Sequence, residues 1–148
     1  MKLVDKMKDE NLGLAILYNF TKGYGHVPMN VYDVVLPLLY HDGFRNHLFE
    51  GVEVEEALTK CVQEDTSFIQ TILDAIEEDK EMTSRALGIC LLNKYLSFEF
   101  EDNEMKGIYH ESSILDINEA IDLGKFFSEK SYEDILNILK KRVLALSF

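Results

Sequence analysis

The sequence has little of what marks a secreted or membrane-spanning protein. It contains two cysteines, Cys61 and Cys90, each in a helical apolar pattern, which predicts reduced and buried thiols rather than a disulfide. No stretch of about 18 residues is free of charge, so a membrane span is not expected. The first residues, MKLVDKMKDENLG, lack the apolar segment of a signal peptide. These absences predict a cytoplasmic protein.

Basic charge is also scarce. The chain has 15 Lys/Arg against 27 Asp/Glu, a net charge of -12, and phosphate recognition needs a basic patch. We therefore expect DNA contact only through a larger complex, with Lys140, Lys141 and Arg142 as the possible phosphate contacts. Residues 50–81 carry eleven acidic residues and two lysines. Such an acidic belt suits docking to a complementary protein surface or forms a solvated helix face, and the sequence leaves both open.

Recognisable catalytic motifs are missing. There is no GxSxG, P-loop or GxGxxG, and neither cysteine has the polar surroundings that would lower its pKa. The polar residues His41, Asp42 and His47 follow an apolar run and are candidate metal ligands. However, histidines six residues apart do not share a helix face. We predict no catalytic site, no metal and no cofactor, so the chain is not expected to be an enzyme.

The same stretch, VVLPLLYHDGFRNHL, has a simpler structural interpretation. Pro37 falls near the end of a predicted buried helix over residues 30–40 and should loosen its last turn. Asp42-Gly43 predicts the stop of that helix. We expect His41 to lie beside the helix C-terminus, and His41 and Arg45 together to organise the bend and its carbonyl groups.

The periodicity of the chain predicts a mainly α protein with one small β-hairpin. Apolar residues recur at helical spacing through most of the sequence, and Gly88 is expected to permit a close approach of helices. Residues 96–101 alternate in polarity, which predicts a hairpin at about 96–110. Ser131 is the expected N-cap of the last helix. The whole chain, 1–148, is predicted to be one compact domain, a helical part (11–80) followed by a winged-helix-like part (81–148).

Aromatic residues are concentrated in the first 44 positions and again near the end. Core packing is the default interpretation. An exposed share of them would form a partner patch, because aromatic side chains are enriched at the centres of interfaces. The candidate interface residues are Tyr24, Tyr40, Phe44, Phe126 and Phe127.

Several segments resemble a known family. They are NLGLAILYNFTKGY, VYDVVLPLLYHDGFRNHL, SRALGICLLNKYLSFE, AIDLGKFFSE and SYEDILNIL, spread over about residues 11–140. The best matches are Leu36-Pro37 with the following His41 and Arg45, the RALG segment and the LGKFF segment. In order and spacing these resemble the middle component of bacterial three-component ABC systems, which are built around an SMC-like ATPase and include the Lamassu anti-phage systems.

The resemblance implies a non-catalytic adaptor. Such a subunit would bind the SMC-like ATPase and position or restrain an effector, commonly a nuclease, while ATP hydrolysis and DNA contact belong to the partners. Two alternatives come from the residues themselves. One is a stand-alone winged-helix DNA-binding regulator, although its hairpin, SFEFEDNE, is acidic. The other is a small hydrolase built on His41, Asp42 and His47.

Overall fold

The computed structural model describes residues 10–146. They form eight α-helices, one 3-10 helix and a three-stranded sheet. The order is α1 (Glu10–Tyr24), β1 (Val27–Pro28), the 3-10 helix (Met29–Val34), α2 (Val35–Leu39), α3 (Asp42–Phe49), α4 (Val54–Glu64), α5 (Phe68–Glu78), α6 (Lys80–Leu92), β2 (Leu96–Glu101), β3 (Glu104–Tyr109), α7 (Asn118–Phe127) and α8 (Tyr132–Leu146). This confirms the predicted class, mainly helical with a small antiparallel sheet.

α1 and α7 pack closely together, and two glycines make this contact possible. A Cβ atom at Gly124 would overlap the carbonyl oxygen of Phe20, and one at Gly23 would overlap the carbonyl oxygen of Ile121. The two backbones therefore touch where neither helix has a side chain. The predicted close approach at Gly88 was wrong, because a Cβ there would meet nothing within 4 Å.

The predicted hairpin is confirmed. β2 pairs with β3 from Leu96↔Tyr109 to Glu101↔Glu104. Asp102 and Asn103 form its two-residue turn with φ values of 52° and 65°, as a tight hairpin turn requires. The sequence did not predict β1, whose two residues pair with Lys106 and Gly107 on the other edge of β3. A two-residue strand that contains a proline has no alternating pattern to read.

The predicted helix over residues 30–40 is divided in two. A 3-10 helix ends at Val34 and the short α2 follows it. Pro37 lies in the middle of α2, where it has no N–H to donate to the preceding turn. Asp42-Gly43 does not act as a stop, since both residues lie in the first turn of α3. Ser131 does cap α8, because its Oγ accepts from the N–H of Asp134 at 3.1 Å.

One apolar core runs through the helical part and the part predicted to be winged-helix-like. α1 is central to it, because it packs on both α6 and α7. Within this core Tyr32 is fully buried and its hydroxyl shares a hydrogen bond of 2.7 Å with Oγ1 of Thr21. The winged-helix-like arrangement of the second part stays a prediction. In the described range 10–146, no helix is long and apolar enough to cross a membrane.

Candidate interaction surface

His41 caps the N-terminus of α3. Its Nδ1 accepts a hydrogen bond from the N–H of Phe44 at 3.1 Å, so the ring must leave that nitrogen unprotonated. The ring also packs edge-on against Phe68, with centroids 4.7 Å apart. Burial lowers the pKa of His41, which favours the neutral ring. His41 lies just after the C-terminus of α2, as predicted, but its side chain caps the N-terminus of the following helix.

Arg45 ties α3 to the end of α2. Its Nη1 donates to the carbonyl oxygen of Leu39 at 3.4 Å, and its Nη2 lies 2.6 Å from Oδ1 of Asp42. The arginine side chain is largely buried and the carboxylate is partly exposed. With Asp42 bound to Arg45 and His41 used as a cap, the structure does not bring His41, Asp42 and His47 together as a metal or hydrolytic group.

These contacts fix α3 to the end of α2. A groove beside α3 is lined by residues of α1, α2, α3 and the start of α7. The groove has a volume of about 370 Å³. Its apolar wall comes from Leu12 and Ile16 of α1, Leu39 of α2, Phe49 of α3 and Ile117 before α7, and its polar residues are Arg45, Asn46 and Glu119. Phe49 is 79% exposed. An apolar groove with a few polar groups at its edge is suited to receive apolar side chains of another molecule.

A second groove lies farther along the seam between α3 and α7. It has a similar volume of about 370 Å³. It is lined by Leu48 of α3, by residues 52–55 at the start of α4, and by Asp122, Lys125 and Phe126 of α7. Glu119, Asp122 and Phe126 are three and four residues apart, so they share one face of α7. We call the two grooves together the α3–α7 surface, defined by Phe49, Glu119, Asp122 and Phe126.

Most of the predicted interface aromatics are not at this surface. Tyr24, Tyr40, Phe44 and Phe127 are buried in the core, with exposures between 0% and 8%. Their apolar rings fill the interior, so none of the four can form a partner patch in this conformation, and that part of the prediction is corrected. Phe126 is partly exposed in the second groove, and its interface role stays a prediction.

Sequence reasoning missed Phe49. It lies five residues after Phe44 on α3, which rotates it by about 140° around the helix axis, away from the core. That rotation is readable from the sequence once the helix is placed at Asp42. Because a stop was predicted at Asp42-Gly43, no helix was placed at Asp42 and the outward position of Phe49 was not predicted.

The predicted basic cluster is divided. Arg142 lies against α4, where its Nη2 is 3.4 Å from Oε1 of Glu55, and its side chain is 15% exposed. Its Nη1 donates to the carbonyl oxygen of Ile138 at 2.9 Å. Lys140 and Lys141 are exposed. A phosphate contact in a complex therefore stays a prediction for these two lysines, whereas Arg142 is bound to a carboxylate of its own chain.

Neither cysteine is suited to act as a nucleophile. Both are buried free thiols, and burial raises the pKa of Cys61 and of Cys90 to about 12. A reactive cysteine needs the opposite shift. Cys61 nevertheless has unusual neighbours. Its Sγ, a ring nitrogen of His47 and a carboxylate oxygen of Glu64 all lie within 4.8 Å of one another, the one group among the described residues that could hold a metal ion.

Comparison with known proteins shows the family to which the chain belongs. The model of the family described as MC3, ABC-three component (ABC-3C) system Middle Component 3, matches residues 12–142. No curated protein and no solved structure matches the chain. The match includes every residue that lines the two grooves of the α3–α7 surface.

Proposed function

We propose a specific role for this chain, which belongs to the Middle Component 3 family of ABC-three component systems. As a middle component of a multi-component system it has protein partners. We propose that it is the non-catalytic adaptor of an anti-phage complex of the Lamassu type. In the cytoplasm it would bind an SMC-like ATPase and position or restrain a nuclease-type effector.

The observation that carries the proposal is the open apolar α3–α7 surface. Phe49 is 79% exposed beside a groove whose other walls are Leu12, Ile16 and Ile117. So large an apolar side chain contributes no burial free energy to the isolated chain while it remains exposed to water. Covered by an apolar face of a partner helix, the same groove would supply binding energy, as in other helix-in-groove interfaces.

The charge of the hairpin supports an adaptor over a DNA-reading winged helix. Glu99, Glu101 and Glu104 lie on β2 and β3, where a wing would meet phosphate. Carboxylates at that position repel the DNA backbone. We therefore propose that the partners read the DNA, and that any phosphate contact of this chain is limited to Lys140 and Lys141. We likewise assign ATP hydrolysis to a partner, so that the main contribution of this chain is recognition between proteins.

The experiment is co-expression of the chain with the products of its neighbouring genes, followed by size-exclusion chromatography. We expect a stable complex, and we expect Phe49→Asp to abolish it because a carboxylate would be desolvated in the apolar contact. Leu92→Asp is the matched control, since Leu92 is 83% exposed at the end of α6, away from the groove. This control should leave the complex intact.

Two outcomes would overturn the proposal. One is the absence of any complex with the neighbouring gene products. The other is tight, sequence-dependent DNA binding by the isolated chain, which would instead support a regulator. A complex that survives Phe49→Asp would leave the adaptor role standing and exclude the α3–α7 surface as its site.

A further inference from the structure

Three side chains with metal-ligating atoms meet where α3 is joined to α4. His47 is in the last turn of α3, and Cys61 and Glu64 are three residues apart near the end of α4. That spacing puts the thiol and the carboxylate on one side of α4, facing His47. The sequence could not show this grouping, because His47 precedes Cys61 by fourteen residues and reaches it only through the turn between the helices.

The three donors fit a zinc ion in number and kind. Zn²⁺ takes sulfur, imidazole nitrogen and carboxylate oxygen, and sites with three protein ligands keep a fourth position open. A thiolate and a carboxylate bring two negative charges, which neutralise the ion when the imidazole is neutral. Cys61 is buried, whereas the Glu64 side chain is 59% exposed, so the group is accessible to solvent from the side of the carboxylate.

The rest of the chain contains matched partial versions of this group. His26 also pairs with a carboxylate, as its Nδ1 lies 2.9 Å from Oε1 of Glu101, but no cysteine joins that pair in the described structure. Cys90 is equally buried, yet its Sγ lies 3.7 Å from the carbonyl oxygen of Leu14. A histidine–glutamate pair and a buried thiol therefore each occur elsewhere in the described residues, and only at the α3–α4 junction do they coincide.

We propose that His47, Cys61 and Glu64 bind one Zn²⁺ ion, with water at the fourth position, and that the ion joins α3 to α4. At present Nε2 of His47 lies 2.7 Å from Oε1 of Glu64. The ion replaces that hydrogen bond, so Nε2 offers its lone pair and the ring hydrogen resides on Nδ1. The thiol of Cys61 loses its proton to solvent as the zinc–sulfur bond forms, and no electron is transferred.

The position of the site gives it a consequence for the fold. α3 and α4 are connected by four residues that include Gly51 at a φ of +91°. A metal link across this connection fixes the angle of α3, which carries Arg45 and Phe49 of the groove on another side. The site stands on its own geometry and does not depend on the adaptor role.

The test is a zinc titration of the full chain, freed of metal by a chelator and carrying no histidine tag. We expect one Zn²⁺ per chain by calorimetry, and a rise in the melting temperature with added zinc. Co²⁺ is the spectroscopic probe, since a cobalt–thiolate bond gives an intense near-ultraviolet absorption band. Cys61→Ser should remove that band and weaken zinc binding by about a hundredfold or more.

Two further variants keep the test decisive if Cys61→Ser does not fold. His47→Gln and Glu64→Gln alter partly exposed side chains, and each should weaken zinc binding by at least about tenfold. The matched controls are Cys90→Ser and His26→Gln, which should bind zinc as the unmodified chain does. The proposal is overturned if the unmodified chain binds no zinc, if the cobalt band is absent, or if the ligand variants and the controls bind alike.

Discussion

α7 has two faces that contrast sharply. On one face Gly124 lies in backbone contact with α1, and Ala120, Leu123 and Phe127 are fully buried around it. On the other face Glu119, Asp122 and Phe126 line grooves that no other part of the described chain fills. Both faces contain apolar side chains, but only the first is packed closely against another helix of the chain, and we call it the closed face and the other the open face.

The contrast separates two uses of apolar surface. The closed face depends on the absence of a side chain at Gly23 and Gly124, which lets two helix backbones meet and removes the surrounding side chains from water. The open face has full-sized residues such as Phe49 and Phe126 with space beside them. We therefore assign stability to the first face and partner binding to the second.

The largest effect is expected at the closed face, with Gly124→Ala. The new Cβ would meet the carbonyl oxygen of Phe20, which is backbone and cannot rotate away, so α1 and α7 must separate. We expect a loss of about 3 kcal/mol in the free energy of unfolding, measured by urea denaturation. Gly88→Ala is the control, with open space around it and an expected gain of up to about 1 kcal/mol. Equal effects of the two variants would show that the glycine contact is not what closes this face.

The next effect is expected at the open face, with Phe126→Ala. Removal of an aromatic ring that a partner covers should weaken the complex by about 2 kcal/mol, roughly thirtyfold in Kd. The measurement is calorimetric titration with the partner subunit. Phe100→Ala is the matched control, because this aromatic residue is 67% exposed on β2 outside the surface. If both variants bind equally well, Phe126 is not part of the interface.

A smaller effect is expected at His41, which fixes one wall of the open face. His41→Ala should cost about 1 kcal/mol of stability through loss of the N-cap of α3. His41→Asn should restore most of it, because Asn supplies an uncharged acceptor for the N–H of Phe44. Urea denaturation at neutral pH measures both. Equal losses for the two variants would contradict the capping role.

His41 also predicts a pH dependence. Burial lowers its pKa in the folded chain below the usual value of 6.5, so the unfolded chain takes up the proton first as the pH falls. The contribution of His41 to stability is therefore complete above pH 6.5 and declines as the pH falls through the lowered pKa. His41→Asn should show a shallower decline below pH 6.5 than the unmodified chain. Parallel curves of unfolding free energy against pH would contradict this.

The smallest effect is expected from a charge at the edge of the open face. Glu119→Gln should change the Kd of the complex by less than about fivefold, because rim charges are screened by solvent. It should act mainly on the association rate and on its salt dependence. Stopped-flow association at two salt concentrations measures this. A loss as large as that of Phe126→Ala would mean that Glu119 is buried at the centre of the interface.

The sequence predicted the features that depend on neighbouring residues. The β2–β3 hairpin follows from alternation and from the Asp102-Asn103 turn, and the cap of α8 follows from Ser131. The role of His41 was only partly predicted. Its side chain caps the helix that begins at Asp42, whereas the prediction assigned it to the end of the preceding helix. These predictions, correct or not, all rest on residues that lie within a few positions of each other in the sequence.

Long-range features could not be predicted, since they depend on which helices meet. Nothing in the sequence distinguishes Gly124 from Gly88, yet only the first faces another backbone. Tyr40 and Phe44 read as possible surface residues and are buried in the core. The grouping of Cys61 with His47 likewise required the fold, because the spacing along the chain says nothing of the turn that joins α3 to α4.

The most direct test of the account is hydrogen–deuterium exchange of the chain alone and in complex with its partner subunit. We expect binding to protect α3, residues 42–49, and α7, residues 118–127, because a partner covers the surface between them. The β2–β3 hairpin, residues 96–109, should exchange equally in both states. Protection of the hairpin with unchanged exchange in α3 and α7 would contradict the assignment of the α3–α7 surface as the docking site.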